Sequence, residues 1–164
     1  MPTPGDTRPV GPFLCTVEFE VGGGIIDLGA SPFGASRVGY ISGGRFSGPR
    51  ISGNVLPGGG NWSRAGRLAE GGAVGTFDAR AVWQTDDGEI VYMSYTGRTR
   101  VPDDVRAAFA DPAQPDVDPS RYYLRIAPVF ETASAKYDWL NGILAIGIGE
   151  RTDFGVRHRI YEVA

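Results

Sequence analysis

Alternation of apolar and polar residues along most of the chain predicts a protein built from short β-strands. In residues 13–21, FLCTVEFEV, every second residue from Phe13 to Val21 is apolar, and two glutamates lie between them. This is the pattern of a strand with one buried face. Further strands are predicted over residues 37–42, 45–48, 50–56, 75–85, 89–98, 121–132, 142–151 and 156–163.

Turn sequences separate these predicted strands. Asp86-Asp87-Gly88 lies between two alternating segments and favours a tight hairpin. Gly43-Gly44 and Gly48-Pro49 mark further turns. Residues 22–37, rich in glycine, are expected to form a connection that can include a short strand.

One segment departs from the strand pattern. Residues 103–110, DDVRAAFA, have an acidic start followed by good helix formers, which predicts a short helix leading into a loop rich in Pro and Asp. The whole pattern therefore predicts an all-β protein of roughly eight to ten antiparallel strands, closed into a barrel or sandwich, because closure removes exposed strand edges. A barrel of about eight strands can hold one small ligand.

Composition agrees with a single folded domain. The chain has 164 residues, and its 25 glycines and 12 prolines accompany a hydrophobic fraction of 41%, which favours short strands and tight turns over disorder. Residues 1–11 contain three prolines and no periodicity. We therefore expect a flexible N-terminal arm over residues 1–12 and one barrel domain over residues 13–164.

Charge and hydropathy narrow the range of partners. The net charge is −3, and 16 basic and 19 acidic residues are scattered along the chain, so no basic stripe for nucleic acid is expected. No apolar run approaches the ~20 residues of a membrane-spanning helix. The single cysteine and the lack of a leader-like N-terminal segment favour a cytoplasmic protein.

The sequence predicts neither a metal site nor a cofactor. His158 and Cys15 are each the only residue of their type, so together they cannot supply a zinc site. Catalysis by a thiol–imidazole pair would require these two side chains to meet. The glycine-rich segments do not open a helix after a strand, so neither is expected to bind phosphate as a P-loop does.

Six sequence blocks, in order along the chain, resemble the signature blocks of the DUF3237 family, also called UPF0311. They are SPFGASR (31–37), GGRFSGPRISGNVLPGGGNW (43–62), FDARAVWQTDDGEIVY (77–92), YYLRIAPVFET (122–132), YDWLNGI (137–143) and GIGER (147–151). The resemblance extends from about residue 13 to the C-terminus. It implies a closed antiparallel β-barrel without a known cofactor. The family usually has Asp where this chain has Asn61, so a family general base at that position would be absent here.

Asn61 and Trp62 form the first candidate site. Pro57 is expected to end a strand, and Gly58–Gly60 to turn both side chains from the wall toward a barrel mouth. Trp62 would offer an apolar plate for a ligand, and Asn61 a hydrogen-bond donor and acceptor. The alternative is a structural loop in which the indole plugs the barrel end and the amide caps the turn.

The second candidate site is Asp78 with Arg80. Alternation places both on one strand face, and Phe77 and Ala79 on the other, without indicating which face points inward. The resemblance favours the barrel lumen for the charged pair. There Asp78 would be an acid or base and Arg80 would stabilise a developing oxyanion. On the outside the two would form a solvated ion pair.

The remaining candidates lie in the C-terminal half, apart from Arg37 in the first resembling block. Glu131 follows an apolar run and is a candidate acid or base, or else caps a turn or pairs with an arginine. Arg125 would steady an anionic oxygen. The other predicted substrate-binding residues are Arg37, Tyr92, Trp139 and Asn141. Trp139 and Asn141 have the alternative role of a packed corner.

These residue types favour proton-transfer chemistry on a small molecule. The leading hypothesis is a cofactor-independent lyase, isomerase, cyclase or hydrolase acting on an aromatic or polycyclic metabolite inside the barrel. The alternatives are a barrel that binds or carries an apolar metabolite without catalysis, and a structural domain whose interior is filled by side chains. Exposed edges or aromatic patches are compatible with a homodimer.

Overall fold

The chain folds into a closed barrel of eight antiparallel strands, in a computed structural model that describes residues 10–114 and 116–164. Each strand pairs with the next one in sequence, and the last pairs back with the first. The strands are β1 Val10–Ser31, β2 Gly34–Ser47, β3 Ser52–Arg67, β4 Ala73–Thr85, β5 Ile90–Val101, β6 Tyr123–Glu131, β7 Ala145–Arg151 and β8 Gly155–Val163. The predicted all-β barrel is confirmed.

The connection between β5 and β6 holds the predicted helix. This helix, α1, is Asp103–Ala110, and it packs Val105 and Ala108 against the barrel. Two short 3-10 turns lie at Pro119–Arg121 and Asp138–Gly142. No helix in the described ranges is long and apolar enough to cross a membrane.

β1 is much longer than the sequence pattern predicted. It continues through the glycines of residues 22–31 and pairs with β2 as far as the Ser31–Gly34 pair. Residues 22–37, predicted as a connection that can include a short strand, instead form the second half of β1 and the start of β2. Gly23 and Gly24 have φ angles of 74° and 77° in a register shift between Val21 and Ile25, so these glycines form an irregularity within the strand. β1 also begins at Val10, inside the predicted arm, whose residues 1–9 lie outside the described part.

Pro57 does not end a strand, contrary to the prediction. β3 continues through it, with a register shift between Leu56 and Gly60, and reaches Arg67. Gly58 has a φ angle of 111°, and a side chain on Gly59 would collide with the carbonyl oxygen of Arg80. The three glycines thus form a β-bulge. Asn61 and Trp62 consequently lie within the barrel wall and point to opposite faces.

Apolar side chains fill the barrel interior. Phe46 and Trp83 stack with ring centroids 4.3 Å apart toward one end, and Phe19 stacks on Tyr95 at 5.9 Å toward the other. Phe77, Ala79, Ala81 and Trp83 of β4 all point inward and are buried. An eight-stranded barrel has room for its own side chains, or for these with one small ligand. In the described part of the chain, a contiguous apolar core lies where the sequence analysis expects a ligand hollow.

Candidate functional site

Asp78 and Arg80 point outward, which corrects the expectation that they line the lumen. Their side chains are 55% and 54% exposed, and Arg80 Nη1 lies 3.5 Å from Asp78 Oδ2. The opposite face of β4 carries Phe77 and Ala79. Burying a phenyl side chain gains about 1.5–3 kcal/mol, whereas burying a carboxylate costs free energy, so the apolar face turns inward.

The outward position brings Asp78 into a groove on the outer face of the sheet. The groove has a volume of about 560 Å³. Cross-strand pairing across β2, β3, β4 and β5 aligns two rows of side chains along it. They are Val38, Trp62, Asp78 and Thr96 in the first row, and Ser36, Arg64, Thr76 and Arg98 in the second. Leu28 also lines the groove.

Trp62 supplies the aromatic surface of the groove. It is 46% exposed. A Cβ on Gly60 would lie 3.1 Å from the indole Cη2 atom, so the ring lies across that glycine, two residues earlier on the same face. The glycine therefore lets the indole lie close to the strand. The neighbouring Val38 is buried and extends this apolar surface.

Asp78 supplies a carboxylate directly opposite Trp62 on β3 and Thr96 on β5. Because it is half exposed and its pairing with Arg80 is long, its oxygens are free to accept hydrogen bonds from a ligand or from water. The groove thus places a hydrogen-bond acceptor beside an indole face, with a hydroxyl on the next strand.

The second row contributes guanidinium groups. Arg98 Nη1 donates to Thr76 Oγ1 at 2.7 Å and to the Gly97 carbonyl at 2.8 Å, which fixes its orientation. Arg64 lies opposite Thr76 on β3. Within residues 10–114 and 116–164, neither arginine forms an ion pair. Arg37, also at the groove, lies 3.5 Å from Asp27.

The groove brings together three of the residues predicted from the sequence, Arg37, Trp62 and Asp78. Arg80 lies beside it as the ion-pair partner of Asp78. Asn61 faces the opposite side, level with Ala79, and its Oδ1 is buried without a hydrogen-bond partner among the described residues. The prediction that Asn61 and Trp62 act together at a barrel mouth is therefore wrong.

The other predicted residues lie elsewhere. Tyr92 and Glu131 face each other on β5 and β6, and Tyr92 is four residues before Thr96, a separation of about 13 Å along a strand. Arg125 pairs with Arg98 across β5 and β6, and its guanidinium lies 4.6 Å above the Tyr123 ring. It adjoins the groove without lining it.

Trp139 and Asn141 have the contacts of a packed corner, the alternative role predicted for them from the sequence. Arg50 lies 3.7 Å above the Trp139 ring. Asn141 accepts a hydrogen bond from Thr132 N at 2.8 Å and donates to Thr132 O at 2.9 Å. This amide therefore holds the loop after β6, and the pair forms a packed corner.

A larger cleft, of about 710 Å³, lies between the segment after α1 and the β7–β8 turn. Three of its carboxylates already have partners within the protein. Asp111 accepts from Ala113 N, Asp118 from Ser120 N, and Glu150 from Arg157. Hydrogen bonds from these backbone N–H groups lower the pKa of both aspartates. With these three carboxylates engaged, this cleft is a weaker candidate.

The protonation of Cys15 and His158 argues against a thiol–imidazole site. Burial raises the pKa of Cys15 to about 12 and lowers the pKa of His158 to about 3, so both side chains are neutral near pH 7. A thiolate nucleophile needs the opposite shifts. Among the described residues, no group of three or more His, Cys, Asp or Glu side chains could hold a metal ion.

Sequence reasoning missed Arg64, Thr76, Thr96 and Arg98. Alternation along β5 does place Thr96 and Arg98 on one face, but their neighbours on β3 and β4 follow only from the strand register. Arg64 and Arg98 are separated by 34 positions in the sequence. No local pattern therefore connects them.

Comparison with known proteins identifies the family of this chain and agrees with the fold described above. The family model described as "Protein of unknown function (DUF3237)" matches residues 9–163. A UPF0311 protein of Clostridium acetobutylicum is 32% identical over 88 residues, which is 54% of this chain and 54% of that protein. This match spans about half the length of the curated relative.

Solved structures match over nearly the full chain. A conserved protein of unknown function from Rhodopseudomonas palustris is 29% identical, with a TM-score of 0.82 over 96% of this chain and 100% of that one. A β-barrel-like protein from Acinetobacter baumannii is 29% identical, with a TM-score of 0.78 over 98% of this chain and 99% of that one. A protein described as an enzyme from Penicillium herquei is 22% identical, covers 96% of this chain and 98% of that one, and has a TM-score of 0.62, which is a likeness of fold. The predicted family is confirmed: this chain belongs to the DUF3237 family, and its curated relatives are named UPF0311 proteins.

Proposed function

We propose that this protein binds a ring-bearing small molecule in the groove on the outer face of β2–β5. The observation that supports this most strongly is the alignment of Trp62, Asp78 and Thr96 across three adjacent strands, which sets an aromatic plate beside a carboxylate and a hydroxyl. The volume of about 560 Å³ lies in the range of small-molecule sites. An apolar wall with a few polar anchors is the usual composition of such sites.

Trp62 would contribute most of the apolar contact. Its ring is half exposed, whereas the rings of Phe19, Phe77 and Tyr95 are buried. Indole rings bury large areas and prefer stacked or edge-to-face partners. A flat ring system on the ligand would therefore cover Trp62 and remove its apolar surface from water.

Proton transfer is the chemistry that Asp78 adds to binding. The carboxylate has access to water and lies 3.5 Å from the guanidinium of Arg80. A ligand held against Trp62 would have its hydrogen-bonding edge next to Asp78. This arrangement suits an acid/base step of a lyase, isomerase, cyclase or hydrolase, without a nucleophile from the protein.

Calorimetric titration with two probes tests binding. The probes, 2-naphthoate and 2-naphthamide, share one ring system. We expect at least one to bind wild-type protein with a Kd below about 1 mM, and Trp62→Leu to weaken that binding about tenfold. Tyr92→Ala, which removes an exposed aromatic residue from the same sheet face outside the groove, is the matched control and should bind normally. Failure of these two probes and of 2-naphthyl phosphate to bind, or equal binding by wild-type protein and Trp62→Leu, would overturn the proposal.

A second experiment separates an enzyme from a carrier. Wild-type protein and the Asp78→Asn variant are incubated with a small-molecule extract of the host cells and compared by mass spectrometry. An enzyme converts one compound to a product only when Asp78 is intact. A carrier retains a compound unchanged, and both proteins then give the same extract composition.

A further inference from the structure

We infer that the ligand of the groove carries an anionic group, a carboxylate or a phosphate, held between Arg64 and Arg98. This inference rests on the proposed function, because it concerns the same groove. It identifies the substrate class as aromatic acids or aromatic phosphate esters.

The charge of the groove is opposite to that of the protein. Its lining contains three arginines, Arg37, Arg64 and Arg98, and one acidic residue, Asp78, which gives a formal charge of 3 − 1 = +2. The whole chain has a net charge of −3. A positive groove on an acidic protein concentrates anionic ligands and repels cationic ones.

Pairing shows which arginines supply this positive charge. Arg37 has Asp27 at 3.5 Å, and Asp78 has Arg80 at the same distance. For Arg64 and Arg98, no carboxylate partner exists within residues 10–114 and 116–164. These two guanidinium groups are therefore available to an anion from solution.

Spacing allows both arginines to reach one anion. Arg64, Thr76 and Arg98 lie in register on three adjacent strands, so the two arginine Cα atoms are separated by about two strand spacings, or about 10 Å. Two long side chains can converge on an anion above the short Thr76 between them. Guanidinium forks bind carboxylate and phosphate oxygens in pairs.

Arg98 is already oriented for this task. Its hydrogen bonds to Thr76 Oγ1 and to the Gly97 carbonyl restrain one of its guanidinium nitrogens. An arginine restrained in the free protein loses less conformational entropy when a ligand binds. The other guanidinium N–H groups are left to donate to the anion.

The two rows define the shape of the ligand. The arginine row lies two residues along the strands from the row of Trp62 and Asp78, a distance of about 7 Å. A ring over Trp62 and an anion between the arginines therefore require these groups on one small molecule, separated by a few bonds. An aromatic carboxylic acid or aromatic phosphate monoester satisfies this requirement.

Calorimetry with three probes of one ring system tests the inference. They are 2-naphthoate, 2-naphthyl phosphate and the neutral 2-naphthamide. We expect at least one anionic probe to bind wild-type protein at least about tenfold more tightly than the amide, and this preference to disappear in the Arg64→Gln/Arg98→Gln double variant. Whichever anionic probe binds more tightly distinguishes a carboxylate from a phosphate ligand.

Arg100→Gln is the matched control. Arg100 is on the same outer face of β5, opposite Tyr123, but does not line the groove, so this variant should keep the preference for anions. If the double variant does not fold, Arg98→Lys serves instead, since it keeps the charge and loses the fork. It should show a reduced preference.

The outcomes separate the inference from the proposed function. Equal affinity of wild-type protein for amide and anions, or a preference that survives in the double variant, would overturn the inference while leaving a groove that binds rings. Absence of binding by all three probes would overturn both.

Discussion

The rings of Tyr95 and His158 meet inside the barrel with their centroids 5.8 Å apart and their planes at 62°. The ring of Phe19 lies against both, with its centroid 6.1 Å from that of the imidazole and 5.9 Å from that of Tyr95. His158 is 1% exposed, and its Nδ1 has no hydrogen-bond partner among the described residues. Burial lowers the pKa of His158 to about 3, so the imidazole is neutral at every pH at which the protein is expected to function.

This burial makes stability fall as the pH falls below 6.5. The unfolded chain binds a proton at His158 near pH 6.5, whereas the folded protein does not until about pH 3. The unfolded state therefore gains protons first, and the free energy of unfolding should decrease by about 1.4 kcal/mol per pH unit between pH 6 and 5. Urea denaturation across this range measures the slope.

The chain has one histidine, so proton NMR gives an independent check. The single imidazole Hε1 resonance of the folded protein should keep its chemical shift between pH 8 and 5. A titration midpoint near 6.5 would contradict the buried position. A His158→Leu variant, if it folds, should lose the slope in stability between pH 6 and 5.

Cys15 offers a second measurement of interior packing. Its thiol is fully buried, and burial raises its pKa to about 12. Because the thiolate is the reactive form, the native protein should react with a disulfide reagent such as DTNB only through unfolding. We expect negligible labelling in buffer and one thiol labelled per chain in urea. Rapid labelling of native protein would show that β1 opens next to β8.

Gly97 tests the tightness of the core beside the groove. A Cβ there would collide with the Phe77 ring and lie 2.6 Å from the Arg125 carbonyl oxygen. Gly97→Ala should therefore destabilise the protein by about 1–3 kcal/mol. Gly142→Ala is the control, since nothing lies within 4 Å of its Cβ position, and it should have little effect. Equal unfolding midpoints for the two variants in urea would contradict the packing described.

Asp87 links the β4–β5 turn to the loop after β6. Hydrogen bonds from Lys136, Thr85 and Tyr137 hold the pKa of its carboxyl well below the usual range. A depressed carboxyl pKa gives stability that is present above the unfolded pKa of about 3.9 and is lost as the pH falls toward the folded value. Asp87→Asn should thus lower the melting temperature at pH 7.

The difference in melting temperature between wild type and Asp87→Asn should shrink progressively below pH 4. Tyr137→Phe removes one of the three donors and should give a smaller loss at pH 7. Thermal denaturation followed by circular dichroism at pH 7, 5, 4 and 3 measures these differences. A melting-temperature difference that stays constant with pH would show that the carboxylate charge of Asp87 does not contribute to stability.

Most of the fold could be predicted from alternation and turns, because in a barrel these are local properties. Alternation in residues 77–83 separated Phe77 from Asp78 correctly. Alternation could not show which face points inward, because it divides the residues between two faces without distinguishing the inner face from the outer one. The apolar content of the Phe77 face decides that question in the structure, and the expectation drawn from the family resemblance was wrong.

The candidate site was less predictable, because it depends on strand register. Trp62 and Asp78 became neighbours only through the bulge between Leu56 and Gly60, which realigns β3 with β4. The sequence pattern predicts a strand end at Pro57, since proline lacks the N–H donor of a sheet ladder. A bulge tolerates that missing donor, and so β3 continues.

The central claim, that the ligand site is on the outer sheet face and not inside the barrel, is tested most directly by mapping a bound probe with ¹⁵N–¹H NMR. During titration with 2-naphthoate, we expect the largest shifts at the amides of Trp62, Asp78 and Thr96 and at the Trp62 indole N–H, with the Tyr95 and His158 amides unchanged. Large shifts confined to the interior residues Tyr95 and His158, with Trp62 and Asp78 unaffected, would contradict the account.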